Sequence, residues 1–102
     1  MHEIQTTDDG VLVRISGEID LSISDHLREW LVEAIPAPPI EVIEVDFTNV
    51  TFLDSTGIRA LVLAQRTAKE RGVTMRLSGA QGRVESVLRI TGVYDMLTTP
   101  AP

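Results

Sequence analysis

The chain has 102 residues, which is enough for one domain with a stable core and too few for a second core of useful size. A hydrophobic content of 43% and a charged content of 24% are typical of a globular protein and argue against disorder. The formal net charge of −6, with only nine dispersed cations, argues against direct binding of nucleic acid, which needs a clustered basic face.

A hairpin and a helix are predicted for the first third of the chain. Residues 3–7 and 11–16 form two strands with an Asp-Gly turn between them, a dipeptide that favours tight hairpins. Residues 17–20 are expected to carry the chain away from the sheet. A helix capped by Ser22 or Ser24 follows and ends at a run of prolines. Its apolar positions have the spacing of one helical face: Ile23, Leu27, Trp30, Leu31, Ala34 and Ile35.

The middle of the chain predicts a central strand and a well-buried second helix. Residues 40–47 read as the central strand, because alternate positions are apolar on one side. The second helix begins near Ser55 or Thr56 and runs to Arg71, where Gly72 provides a C-terminal cap.

The last third predicts one more strand, one more helix and a loose end. Residues 73–78 alternate as a strand, and a helix with apolar positions from Val84 to Leu88 ends at Gly92. The tail, residues 98–102, is expected to be frayed. The order β-β-α-β-α-β-α predicts a single α/β domain over the whole chain, with helices packed on a mixed sheet of four to five strands.

The turn between the central strand and the second helix carries the most informative polar residues: Asp54, Ser55 and Thr56. In open α/β sheets, sites commonly lie beyond the carboxyl ends of the strands. A helix N-terminus has unpaired amides and a partial positive charge, so a phosphate on Ser55 is compatible with the fold. Beside Asp54, that added charge would instead oppose burial by a docking partner. This is the physical outline of a binding switch.

A plain helix cap is the alternative interpretation of the same turn. Ser and Thr are among the preferred N-caps, and a capping hydroxyl needs no further purpose. Two adjacent hydroxyls are present where one would suffice, however, and Gly57 costs helix stability unless something approaches its backbone closely. Both interpretations of Ser55 remain open at this point.

Other chemistries of the turn lack the residues that they need. A serine nucleophile requires a base, and the Gly-x-Ser-x-Gly pattern is absent. A phosphate-accepting aspartate of the response-regulator type would need an acidic pair after the first strand and a lysine after a late strand. Here the pair Asp8-Asp9 lies in a hairpin turn, and the single lysine, Lys69, lies in the second helix.

The remaining residue types exclude most catalytic and metal sites. Without cysteine there can be no disulfide, thiolate ligand or cysteine nucleophile. His2 and His26 are far apart in the sequence, and both are expected to lie in solvent, so no metal site, cofactor or enzymatic activity is predicted. No secretory signal and no stretch of about 20 apolar residues is present, so we expect a cytoplasmic protein without membrane association.

The segment from Phe52 to Leu61 (Phe-Leu-Asp-Ser-Thr-Gly-Ile-Arg-Ala-Leu) closely resembles the signature of the STAS domain family, in particular of bacterial anti-sigma factor antagonists. Three further segments are similar to the family's second strand and Gly-Glu-x-Asp turn, its central strand and its last amphipathic helix: Leu12 to Asp20, Val42 to Asn49, and Val84 to Val93. The resemblance covers nearly the whole chain in the right order.

The resemblance implies a phosphorylation switch at Ser55. The kinase would be the anti-sigma factor itself, an ATP-dependent serine kinase. The unphosphorylated protein would bind that kinase and release the sigma factor, and a serine phosphatase would restore this form. The implied partner-binding surface comprises Asp20, Leu21 and Ser22 from one turn, and Asp54, Thr56, Gly57, Ile58 and Arg59 from the other.

A second hypothesis keeps the family and removes the switch. The chain would then be a STAS subunit of a lipid-transport ATPase or of a stressosome-type scaffold, with Ser55 acting only as a cap. The plain alternative for Asp20 is a helix-entry cap. The short C-terminus also leads us to expect that a last edge strand or helix is reduced or absent.

Overall fold

The strands present their buried apolar residues on one side of the sheet, and this decides where the helices pack. The computed structural model describes residues 1–101, which form four strands and four helices. In chain order these are β1 His2–Thr7, β2 Gly10–Ile19, α1 Leu21–Glu33, β3 Val42–Leu53, α2 Ser55–Glu70, β4 Thr74–Ser78, α3 Gly82–Ile90 and α4 Tyr94–Thr98.

The strands form one mixed sheet in the order β1-β2-β3-β4. β1 pairs with β2 antiparallel, as a hairpin requires, whereas β2, β3 and β4 are parallel because helices connect them. The predicted α/β fold with a mixed sheet is therefore confirmed. The observed order is β-β-α-β-α-β-α-α, with one short helix added after the predicted elements.

The core lies between the sheet and the helices. Val13, Ile43 and Val45 are at most 1% exposed on the covered face of the sheet, and Leu27 and Leu31 of α1 are fully buried against it. The alternate strand positions form an open face with ion pairs. The shortest joins Arg76 Nη2 to Glu44 Oε1 at 2.7 Å, and both side chains are partly exposed. Pairs of this kind contribute little stability, so apolar burial dominates the fold.

Strands β2 and β3 are longer than the sequence predicted. Residues 17–20 were expected to leave the sheet, but β2 continues to Ile19, and β3 continues six residues beyond position 47 to Leu53. Two register shifts, between Arg14 and Ser16 and between Gly17 and Glu18, break the simple apolar alternation. After these shifts Val50 and Leu53 still face the core, so the irregular ends remain paired.

The N-terminal strand holds His2 in place, in contrast to the expectation that it lies in solvent. His2 pairs with Ile15 in the sheet, and its ring stacks on the ring of Trp30 with centroids 4.2 Å apart. Trp30 is partly buried on α1, as its place on the apolar stripe predicts. This aromatic contact packs β1 against α1.

The end of the chain differs from the predicted frayed tail over residues 98–102. Thr98 is the last residue of α4, and its Oγ1 donates a hydrogen bond to the carbonyl oxygen of Tyr94 at 2.7 Å. Leu97 is only 2% exposed and belongs to the core. A five-residue helix is too short to produce a periodic pattern, which is why the sequence did not predict it. Position 102 lies outside the described residues.

Within residues 1–101, the helices are all too short or too polar to cross a membrane.

Replacement of Leu97 by alanine tests whether α4 is a docked part of the core. We expect Leu97→Ala to lower the free energy of unfolding by roughly 2 to 4 kcal/mol, since it removes a buried side chain. The matched control is Ile90→Ala, because Ile90 is 84% exposed and should change stability by less than about 0.5 kcal/mol. Chemical denaturation measures both. Equal effects of the two substitutions would mean that the tail is loose.

Candidate functional site

Two turns lie side by side because β2 and β3 are parallel and end at the same edge of the sheet. Their last residues, Ile19 and Leu53, are paired. One residue further on, the backbone N–H of Asp54 still donates to the carbonyl oxygen of Ile19 at 3.3 Å. The turn at residues 20–22 and the turn at residues 54–56 are therefore held next to each other, at the carboxyl edge where the sequence predicted a site.

Both turns start their helix with the same arrangement. Asp20 Oδ1 accepts hydrogen bonds from the backbone N–H of Ser22 at 3.0 Å and from its hydroxyl at 2.6 Å. Asp54 Oδ1 accepts from the N–H of Thr56 at 3.0 Å, from its hydroxyl at 2.5 Å and from the N–H of Gly57 at 3.2 Å. The backbone angles of the two aspartates differ by less than 10°, with φ of −117° and −109° and ψ of −172° and −175°.

The N-caps are therefore the aspartates, and the predicted hydroxyl caps are wrong. Ser22 and Thr56 are each the second residue of a helix and donate to the cap instead of acting as one. Ser24 is also inside α1, where its hydroxyl donates to the carbonyl oxygen of Leu21 at 3.3 Å. In both helices an aspartate directly precedes the first helical residue, and its carboxylate can reach the unpaired N–H groups of the first turn. Aspartate is as good a capping residue as serine. The suggestion that Asp20 caps the first helix is confirmed.

Ser55 has no part in capping. It is the first residue of α2, its side chain is exposed, and its hydroxyl makes no hydrogen bond with any of residues 1–101. The cap interpretation of Ser55 is thus excluded, since Asp54 fills that role. The hydroxyl stands in solvent at the N-terminus of a 16-residue helix.

The carboxyl group next to Ser55 is held in its charged form. The hydroxyl of Thr56 lowers the pKa of Asp54 most strongly, partial burial acts in the opposite direction, and the N–H groups of Gly57 and Thr56 lower it further. Hydrogen bonds to a carboxylate favour the anion over the acid. Any group attached to Ser55 would therefore meet an existing negative charge.

Gly57 allows α2 to begin directly on the ends of the strands. A Cβ atom at this position would lie 2.6 Å from Cγ2 of Ile19 and 2.6 Å from Cδ1 of Leu53. Contacts so short would force a shift of the helix or of both core side chains. The interpretation of Gly57 as a site of close backbone approach is confirmed. This close packing determines how near the first turn of α2, which contains Ser55, lies to the ends of the strands.

Two apolar side chains are exposed in the segments next to the serine turn. Leu21 is 73% exposed in the neighbouring turn, and Phe52 is 47% exposed on the strand that leads to Asp54. Arg59 is exposed one turn further along α2, whereas Gly57 and Ile58 are buried, Ile58 being only 8% exposed. The two adjacent turns thus bring the predicted partner-binding residues together. Gly57 and Ile58, however, offer little exposed surface to a partner. Within residues 1–101 no three potential metal-ligating side chains are grouped.

A sequence model of the STAS domain matches residues 2–101. The chain belongs to the STAS domain family. The resemblance expected from the sequence is thereby confirmed, and the two Asp-capped turns are the ends of the paired central strands of a STAS fold.

Relatives of this STAS domain include regulatory proteins of bacteria. An anti-sigma-B factor antagonist of Listeria monocytogenes is 30% identical over 96 residues, which cover 93% of this chain and 83% of the relative. The anti-sigma factor antagonist SpoIIAA in its unphosphorylated form superposes with a TM-score of 0.78 at 20% identity, over 100% of this chain and 89% of that one. SpoIIAA of Bacillus in the phosphorylated form gives 0.70 at 19% identity, over 100% and 92%. The two structures establish the shared fold.

Phe52 is an exposed residue at the end of β3 that the sequence prediction of a partner-binding surface left out. The signal for it exists, because successive residues of a strand point to opposite faces. Leu53 is 5% exposed and faces the core, so its neighbour Phe52 must face outward. The outward orientation of Phe52 was not predicted because the predicted strand stopped at residue 47, whereas β3 continues to Leu53.

Replacement of Gly57 by alanine tests the close packing of α2 on the strands. Alanine favours a helix by about 1 kcal/mol over glycine, but the two 2.6 Å approaches should outweigh this gain. We expect a net loss of roughly 1 to 3 kcal/mol of unfolding free energy. Arg59→Ala, an exposed change in the same helix, should stay within about 0.5 kcal/mol. A Gly57→Ala protein more stable than the parent would contradict the packing.

The low pKa of Asp54 predicts a specific loss of stability in acid. The unfolded chain binds a proton on this group near pH 4, before the folded protein does, so the contribution is complete above that pH and is lost as pH falls through the folded-state pKa. Asp54→Asn should cap nearly as well at neutral pH but should flatten the acid limb of the unfolding curve. Asp46→Asn provides the comparison, because Thr48 lowers the pKa of Asp46 in the same way. An unchanged acid limb in Asp54→Asn would refute the assignment.

Proposed function

We propose that this protein is an anti-sigma factor antagonist whose binding to an anti-sigma serine kinase is switched off by phosphorylation of Ser55. One observation carries the proposal. Among the hydroxyls of the two turns, Ser22 and Thr56 are bonded to the capping aspartates, whereas the hydroxyl of Ser55 is exposed and bonded to none of residues 1–101. A kinase can reach it without disturbing the cap.

Phosphorylation at this position leaves the fold intact. Asp54 already occupies the N–H groups of Thr56 and Gly57, and its own carbonyl oxygen accepts from the N–H of Ile58. A phosphate on Ser55 therefore finds few vacant amides and is held mainly by the favourable end of the helix dipole. That attraction is offset by the charged carboxylate of Asp54, so the net effect on folding is small.

The effect on docking is large by comparison. Leu21 in the neighbouring turn and Phe52 at the end of β3 are exposed apolar side chains, which a partner can bury when Ser55 is unmodified. After phosphorylation the same partner would have to desolvate about two added negative charges next to Asp54. Burial of like charges without a counter-ion is strongly unfavourable, so the complex dissociates.

The relatives support this proposal. The Listeria monocytogenes protein is named an anti-sigma-B factor antagonist, and SpoIIAA is described as an anti-sigma factor antagonist that exists in unphosphorylated and phosphorylated forms. By analogy, the chain is a cytoplasmic binding protein without catalytic activity of its own. Its partners are an ATP-dependent anti-sigma kinase and a serine phosphatase that removes the phosphate from Ser55.

Incubation with the cognate anti-sigma kinase and ATP tests the proposal. Mass spectrometry should locate one phosphate on Ser55 and none in Ser55→Ala, while Ser86→Ala, an exposed hydroxyl on α3, should be modified as the parent is. Ser55→Asp should weaken kinase binding by about tenfold or more, measured by calorimetry without ATP.

Two results would contradict the switch. Unchanged phosphorylation of Ser55→Ala would show that the acceptor is another residue, and equal kinase binding by Ser55→Asp would show that charge at this turn does not control docking. Copurification with a membrane ATPase, with function indifferent to Ser55→Ala, would favour the non-switching subunit of a lipid-transport system or scaffold.

A further inference from the structure

An open cavity of about 680 Å³ lies toward the opposite end of α2 from Ser55. Its walls come from the second half of α2, the start of β4, and α4 with the residues that follow it. The apolar part of the lining includes Val62, Val73, Met75 and Met96, and two cations, Arg66 and Lys69, stand beside it. The volume lies in the range of sites for small organic molecules, and the lining combines apolar side chains with charged ones.

One side chain holds the walls of this cavity together. The amide nitrogen of Gln65 donates to the carbonyl oxygen of Met75 on β4 at 3.0 Å and to that of Met96 on α4 at 2.9 Å. Three elements are thereby joined through a single residue of α2. The cavity is a preformed feature of the fold, because its shape depends on these hydrogen bonds and on the burial of Leu97 of α4 in the core.

The cations of the cavity are available to a ligand. Arg66 and Lys69 lie three residues apart, on one face of α2. The carboxylates of residues 1–101 all lie more than 4.0 Å from the charged nitrogens of both side chains. Asp95, the acid that lines the cavity, is near Arg89 and helps to raise the pKa of that guanidinium.

We propose that this cavity binds an amphiphilic organic anion, a molecule with an apolar chain that ends in a carboxylate. The chain lies against Val62, Val73 and the two methionines, whose flexible thioethers adapt to its shape. The carboxylate is held at Arg66 and Lys69. Arginine in particular matches the two oxygens of a carboxylate.

The cavity is independent of the phosphorylation turn. Along α2, Arg66 lies about 16 Å from Ser55, at ~1.5 Å per residue. The proposal therefore does not depend on the anti-sigma role, and either can fail without the other. It adds a small-molecule site to the same rigid helix that carries Ser55.

Methionine methyl groups provide a direct test, with sodium decanoate as the probe. The chain has three methionines, and only Met75 and Met96 line the cavity, whereas Met1 lies by β1 at the far edge of the sheet. In protein labelled with 13C at the methionine methyls, decanoate below its micelle-forming concentration should shift the signals of Met75 and Met96 saturably. The signal of Met1 should stay in place. Hexanoate should bind at least about tenfold more weakly, because it buries less apolar surface.

Charge variants complete the test. Arg66→Ala combined with Lys69→Ala should weaken decanoate binding by at least about tenfold. Arg28→Ala combined with Arg83→Ala makes the same change in net charge at exposed positions outside the cavity and should bind as the parent does. Ser55→Ala should also bind normally. The proposal is overturned if no methyl shifts, if all three shift together, or if the Arg66 and Lys69 variant binds decanoate as well as the parent.

Discussion

The parallel pairing of β2 with β3 up to their last residues is the constraint on which the rest of the structure depends. The pair Ile19 and Leu53, extended by the bond from Asp54 N–H to the Ile19 carbonyl oxygen, brings two helix starts to one edge of the sheet. Gly57 then lets α2 rest on these two side chains without an intervening Cβ. Because α2 runs from this edge to the cavity beside β4, the placement of its first turn also sets the position of Arg66 and the wall of that cavity.

The separation of the capping residue from the exposed serine in this turn is compatible with the proposed switch. Helix N-termini need a capping group, and a modification site that also served as the cap would lose stability whenever it was modified. Here Asp54 caps the helix, and the hydroxyl of Thr56 donates a hydrogen bond to the Asp54 carboxylate. Ser55, which lies between them, does neither. Under the proposed switch, a phosphate on Ser55 would act on what docks at the turn and would leave the helix cap in place.

The sequence predicted those parts of the structure that depend on repeated local patterns. The stripe of α1 and the alternation of β4 placed both elements, and the family signature identified the serine turn. The sequence could not decide which of the neighbouring residues Asp54, Ser55 and Thr56 caps the helix. All three types are good caps, and the choice depends on where pairing with Ile19 ends. The register shifts between β2 and β3 and the short helix α4 were missed for a related reason, since both are specified by distant contacts and not by local periodicity.

The near-identity of the two capped turns has a consequence for orientation. The two adjacent helix starts have similar backbone angles and the same capping residue, an aspartate. A partner that recognised only this geometry could therefore dock in two equivalent ways. The first helical residue breaks this equivalence, because it is Leu21 in α1 and Ser55 in α2. The first position is thus an exposed apolar side chain in one turn and an exposed hydroxyl in the other. A partner that buries Leu21 in one turn and approaches Ser55 in the other would therefore have one preferred orientation on this edge of the sheet.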